Sequence, residues 1–244
     1  MTWRMLDLFS GIGGFSLAAQ WCWGDELEIV AFCEIDKFCQ KVLKKHWPNV
    51  TIMEDIKKLD GKQWAGTIDL LTGGFPCQPF SVAGKQRGIA DDRWLWPEMF
   101  RIIKEIKPHW VVGENVANFF NMALKESLFD LETINYQVSS FIIPACSLNF
   151  PHKRERTWIV ANSKGNDGDN PVLQDNGNTT FSTQPGRCFG DEPMPKLYRV
   201  DDGIPSELDR LKSLGNAIVP QVAYQIFKAI KEIEGSSMTA PSPT

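Results

Sequence analysis

The sequence predicts an α/β protein with a mostly parallel, doubly wound sheet. Short apolar runs alternate with amphipathic stretches of helical period along most of the chain. The first run leads into a glycine-rich turn, "SGIGG", and then into the apolar stretch "FSLAAQWCW". Carboxylates and a cysteine recur at the ends of the predicted strands, where open α/β sheets hold their ligands.

Each element has its own signal. "RMLDLF" (4–9), "EIVAFCE" (28–34), "IDLLTGG" (68–74) and "HWVVGEN" (109–115) are apolar runs of strand length, and a short strand precedes Asp55. "QVSSFIIPA" (137–145) and "RTWIVA" (156–161) add two more. "DKFCQKVLKKHW" (36–47) reads as a helix with Asp36 as N-cap and an apolar face at Phe38, Val42 and Leu43. "LWPEMFRIIKEI" (95–106) puts Leu95, Met99, Ile102, Ile103 and Ile106 on one helical face, with Pro97 tolerated in the first turn. Val222, Ile226, Ile230 and Ile233 mark the face of a final helix.

Between about Asn162 and Pro195 the chain is dense in Asn, Asp, Gly, Ser, Thr and Pro, with too few apolar residues for a core of its own. Residues 1–161 and 205–234 are therefore expected to form one domain, with 162–204 an irregular insert and 235–244 a disordered tail. The chain has 244 residues, 43% of them hydrophobic and 23% charged, as in a globular protein. No apolar run reaches the length of a membrane span, and the N-terminus lacks the apolar core of a signal peptide, so a cytoplasmic location is expected. The net charge of −4 argues against bulk nucleic-acid affinity but leaves room for a local basic face such as "HKRER" (152–156).

The six cysteines include no C-x-x-C pair, and with three histidines they form no zinc spacing, so no metal is expected. A disulfide framework is not expected either. Cys22, Cys33, Cys39 and Cys146 lie in apolar surroundings, where a free thiol packs as a small hydrophobe. Cys77 differs. In "GGFPCQPFS" (73–81) it sits between prolines and aromatics after a predicted strand. On its own it reads first as a packed thiol, with a metal ligand, half of a disulfide or a nucleophile as the alternatives.

The N-terminal strand, turn and helix form a nucleotide-binding arrangement. Glu34 lies 20 residues past Gly14 at the end of the next strand, where a carboxylate accepts hydrogen bonds from ribose hydroxyls. The glycine spacing is not G-x-G-x-x-G, which favours an adenosine without a pyrophosphate. Asp55 in "MEDI" is then placed to meet an adenine amino group, or else caps a helix.

Several stretches together resemble the DNA (cytosine-5) methyltransferases: "DLFSGIGGFSLA" (7–18), "EID" (34–36), "GGFPCQPFS" (73–81), "GENV" (113–116), "NFPHKRERTWIVA" (149–161) and "LGNAIVP" (214–220). They occur in the family's order and cover most of the chain outside 162–204. The resemblance implies a Rossmann-like S-adenosylmethionine-dependent methyltransferase fold with a short target-recognition region. It implies that Phe9, Ser10, Gly11, Gly13, Gly14, Glu34, Ile35, Asp55, Ile56, Pro76 and Asn216 bind S-adenosylmethionine. By the same resemblance Cys77 is the nucleophile, Glu114 contacts the cytosine, and Arg154 and Arg156 supply positive charge beside it. Gln78, Ser81, Lys85, Gln86 and Arg87 lie in a stretch expected to close over DNA. The implied substrate is a flipped-out cytosine in double-stranded DNA, methylated at C5 through a Cys77–C6 adduct. The expected setting is a monomer, with a cognate restriction endonuclease as a further partner.

Two features depart from the family pattern. His152 stands where the family has Gln, and 162–204 is shorter and more acidic than a groove-reading region. A tRNA cytosine methyltransferase is one rival, but its Cys-Phe-Thr signature is absent. A non-catalytic DNA-binding or regulatory relative is another, against which stand the intact Cys77, Glu114 and Arg156. A nicotinamide-dependent oxidoreductase accounts for the glycine turn and Glu34 but not for Cys77 with Glu114.

Overall fold

A computed structural model of the chain describes residues 2–76, 94–119, 123–148, 154–163 and 216–237. Its elements run β1 (Trp3–Leu8), α1 (Gly14–Trp23), β2 (Leu27–Cys33), α2 (Lys37–His46), β3 (Thr51–Met53), β4 (Leu70–Gly73), α3 (Trp96–Ile106), β5 (Trp110–Val116), α4 (Leu124–Thr133), β6 (Gln137–Pro144), β7 (Glu155–Asn162) and α5 (Pro220–Ser237). The strands form one seven-stranded sheet in the order β3-β2-β1-β4-β5-β7-β6. The first five are mutually parallel, and β7 runs antiparallel to both β5 and β6.

The chain leaves β1 toward β2 and β3, then returns to the other side of β1 for β4 and β5. That reversal makes the β1/β4 boundary the topological switch point, and the carboxyl ends of both strands flank its crevice. β1, β4 and β5 are buried on both faces, which is why they read as continuous apolar runs rather than alternating ones.

One face is covered by α3, whose Met99, Ile102, Ile103 and Ile106 pack with Leu6, Leu8, Leu71 and Val111, and by Leu124 and Leu131 of α4. The other face is covered by α1 and α5, with Phe15, Ala18, Ala19 and Trp23 against Val222, Ala223, Ile226, Phe227 and Ile230. Asp36 caps α2 as expected: its carboxylate accepts from the amides of Phe38 and Cys39.

α4 has no counterpart in the sequence prediction. Its buried stripe is only Leu124, Ser127 and Leu131, and Ala123 at its N-cap offers no side-chain cap, so both signals are weak. α5 continues to Ser237, past the expected domain end at residue 234. The insert expected over 162–204 lies outside the described residues beyond Ser163.

Candidate functional site

The carboxyl edge of the sheet gathers the turns after β1, β2, β3 and β4 with the ends of β5 and β7. After β1 the backbone passes through the left-handed region at Phe9, Gly11 and Gly13. Ser10 is pinned inside this turn: its hydroxyl donates to Asp7 O at 2.6 Å and its amide to Cys33 O at 3.2 Å. The glycines serve different ends. A Cβ on Gly11 meets nothing within 4 Å, so this residue faces open space. A Cβ on Gly13 would lie 2.5 Å from the Trp47 ring, and one on Gly14 would lie 2.7 Å from Ile218. Close packing within the protein thus excludes a side chain at Gly13 and Gly14, while the space beside Gly11 is open. Phe9 packs against the α3-side core.

Glu34 fastens this turn to the next one. Its Oε2 accepts from the Gly11 amide and its Oε1 from the Asp36 amide, both at 2.7 Å. Burial raises the Glu34 carboxyl, while the amides of Asp36 and Gly11 pull it back. Each oxygen keeps a lone pair for a further donor. Beside it Ile35 is 73% exposed, an unusual state for a large aliphatic residue next to a buried carboxylate. Asp55 caps a short 3-10 turn (Ile56–Lys58), its Oδ1 accepting from the Lys57 amide at 3.0 Å. Both sequence readings of Asp55 remain compatible, since only one oxygen is so engaged. The Ile56 side chain, expected at the cofactor, is only 5% exposed and packs within the α3-side core.

Sequence reasoning missed Asp7. This fully buried carboxyl accepts from Ser16 Oγ and Thr72 Oγ1, each at 2.8 Å. It ties the first turn of α1 to β4 at Thr72, four residues before Pro76. Burial pushes it up to about 7, against the hydroxyls of Thr72 and Ser16 and with the help of the Glu34 charge. An acid inside an otherwise apolar strand was the available signal.

The turn after β4 is held from β5. Asn115 Nδ2 donates to Phe75 O at 3.2 Å, and Phe75 is buried among Trp94, Trp96 and Phe119. The motif "GENV" alone assigns Asn115 no role. Pro76 is half-buried at the end of this turn. Cys77, Gln78, Ser81, Lys85, Gln86, Arg87 and His152 lie outside the described residues.

Glu114 stands on β5 beside that turn: a Cβ on Gly74 would lie 3.4 Å from its Oε2. The antiparallel run of β7 brings Arg156 to the same edge, opposite Val116 in register. Arg156 Nε lies 2.9 Å from Glu114 Oε1. The approach is off the axis of an aligned hydrogen bond, so Oε1 has a charge contact but no well-directed donor. Burial raises the Glu114 carboxyl from its ordinary 4.5 to about 7, against the pull of Arg156 and Arg154. Arg154 sits with a left-handed backbone, and its guanidinium donates to Ala217 O. It therefore braces the segment that precedes α5, where Asn216 is exposed.

A cavity of about 580 Å³ adjoins this segment, lined by Ile12, Gly13, Trp47, Arg154, Ile218 and their neighbours but not by Glu34, Ile35 or Asp55. Among the described residues no group of His, Cys, Asp and Glu is arranged to hold a metal ion. Cys33 is buried and pushed up to about 12, first by burial and then by the charges of Glu34, Asp55 and Asp7, so it is an inert thiol. Cys146 corrects an expectation. It is disulfide-bonded, not a free packed thiol. Pairing depends on Cα separation in the fold, which spacing along the chain does not reveal.

Residues 3–191 match the family model for C-5 cytosine-specific DNA methylases. The chain is 38% identical over 166 residues to the Type II methyltransferase M.PspPI of Psychrobacter sp., covering 65% of this chain and 39% of that one. It is 29% identical over 231 residues to the Type II methyltransferase M.NlaX of Neisseria lactamica, covering 93% and 72%. A solved DNMT2 from Spodoptera frugiperda superposes with a TM-score of 0.57 at 26% identity, covering 68% of this chain and 51% of that one. The chain spans about half the length, or less, of most such relatives. Motifs, sheet order and family match agree: the chain belongs to the C-5 cytosine-specific DNA methylase family.

Proposed function

We propose that this chain transfers a methyl group from S-adenosylmethionine to C5 of a cytosine in double-stranded DNA. The observation that carries the reading is Glu114, a buried carboxyl raised to about 7 and charge-paired with Arg156 beside the turn that leads to Cys77. Such a group holds a proton near neutral pH and delivers it to a ring nitrogen, as a surface carboxylate does not.

The cofactor edge fits an adenosine. Gly11 has open space, Ile35 offers an exposed aliphatic face, and Glu34 has spare acceptor capacity at two points. In this reading Glu34 takes the ribose hydroxyls, Ile35 packs on the adenine and Asp55 accepts from its amino group. The bound cofactor supplies an electrophilic methyl group.

The protein's own task is to make C5 nucleophilic. The Cys77 thiolate adds to C6, and the ring electrons shift toward C5 as Glu114 gives a proton to N3. Arg156 holds the Glu114 carboxyl in place and offsets the charge left on it. After methylation, water removes the C5 proton, N3 returns its own, and the thiolate departs from C6. The target base must leave the stack for this, at a cost of a few kcal/mol. The Type II relatives support a restriction–modification setting with an endonuclease as partner, and in this reading the chain acts as a monomer.

Base-resolution sequencing of 5-methylcytosine, in a host free of that mark, tests the reading. The wild-type chain is expected to methylate DNA and Cys77→Ala is not. Duplex DNA carrying 5-fluorocytosine should trap the wild type covalently, and trapping that survives Cys77→Ala would refute the assignment. Methylation of RNA with none of DNA would move the substrate to RNA.

A further inference from the structure

We propose that Arg101 is a positioning residue for the adenine edge of the cofactor site, acting through the segment that carries Asp55. The proposal rests on the cofactor reading above.

The segment after β3 has little sheet to hold it. β3 has three residues, lies at the edge and pairs only with β2. Asp55 follows it directly, so its direction depends on whatever fixes residues 55–61. That fixture comes from α3, across the core. Arg101 Nη2 donates to Ile56 O at 2.8 Å, and Nη1 donates to Leu59 O at 3.0 Å. One guanidinium therefore closes the 3-10 turn that Asp55 caps. Two carboxylates aim it: Nε donates to Glu98 Oε2 and Nη1 to Glu105 Oε1, both at 2.9 Å. The other Glu105 oxygen accepts from the Gly61 amide at 2.8 Å. Ile56 and Leu59 fill the core beneath, so the turn is held from below by packing and from the side by Arg101.

Only a guanidinium satisfies this geometry. Its planar fork reaches two carbonyls and two carboxylates at once, whereas an ammonium is a point charge with donors in one small cone. Arg101 has no contact with Glu34, Gly11 or the Glu114 cluster in this network. Its loss should blur recognition of the adenine edge and leave the ribose contact and the chemistry in place.

The test is calorimetric binding of S-adenosylhomocysteine and of its inosine counterpart, which lacks the adenine amino group, to the full chain and to Arg101→Lys. Glu98→Gln, which removes one aiming group but neither carbonyl contact, is the milder second variant. The wild type is expected to prefer the adenine ligand by about tenfold, the worth of one good hydrogen bond. Arg101→Lys should lose most of that preference and Glu98→Gln only part, with kcat at saturating cofactor within about twofold for both. A folded Arg101→Lys that keeps the full preference, with only a lower melting temperature, would overturn the proposal by showing a purely structural role. A wild type that binds both ligands equally overturns it too. A wild type that binds neither removes the cofactor reading itself, a distinct outcome.

Discussion

Glu114→Gln separates the cost of burying a charge from the value of donating a proton. The native carboxyl titrates at about 7 against an ordinary 4.5, so the fold binds this proton more tightly than the unfolded chain does. The sign follows: Glu114 favours the fold fully below about pH 4.5, and that contribution is lost as pH rises through 7. The shift corresponds to about 3 kcal/mol, most of it lost between pH 5 and 7. Glutamine cannot ionise and removes this dependence. Asp7 titrates in the same range but is present in both proteins, so it cancels in the difference. Urea unfolding of both proteins at pH 5, 6, 7 and 8 should show the wild type losing about 3 kcal/mol relative to the variant across the series. Methyl transfer by the variant should fall by about a hundredfold or more at pH 6, because its amide has no proton to give, and by less at pH 8, where the wild-type carboxyl is mostly ionised. A stability difference that stays flat with pH would mean that Arg156 keeps Glu114 ionised throughout, and the proton-donor argument would fail.

Two further outcomes follow from the glycine turn and the acid beneath it. Gly13→Ala forces a Cβ to 2.5 Å from the Trp47 ring at a left-handed position, and should cost about 2 to 4 kcal/mol by thermal or urea unfolding. Gly11→Ala has the same handedness but open space and should cost only about 1 kcal/mol; equal losses would refute the packing role of Gly13. Thr72→Val leaves one oxygen of Asp7 without its donor and should destabilise by about 1 to 3 kcal/mol. That loss should be larger at pH 8, where Asp7 is ionised, than at pH 5, and equal losses at both would show that its charge state does not matter.

Elements whose signal is local were legible in the sequence. The strand runs, the Asp36 cap and the α3 face depend on neighbours a few residues away, and they appear in the fold within a residue or two. What escaped depends on long-range contact. An arginine inside "EMFRIIKEI" reads as a solvent-facing charge until the turn after β3 is seen against it. The packing demand on Gly13 and Gly14 is invisible until Trp47 and Ile218 are found behind them. The direction of β7 is invisible in "RTWIVA", because a buried strand is apolar whichever way it runs, yet that direction brings Arg156 to Glu114. Asp7 broke the apolar pattern of its strand, and local conflict of this kind is a mark of a specialised position.

The contact between Gly14 and Ile218 joins the earliest and latest described parts of the chain. During synthesis, the first five strands and their helices emerge long before residue 218 exists. The glycine turn is then without its rear wall, and α1 without α5, its main packing partner on that face. A nascent chain that has already formed the turns after β1, β2 and β3 and the Glu114 strand thus still lacks part of the candidate site. The site therefore gains its rear wall only once residues 216–237 have been made and have packed against α1.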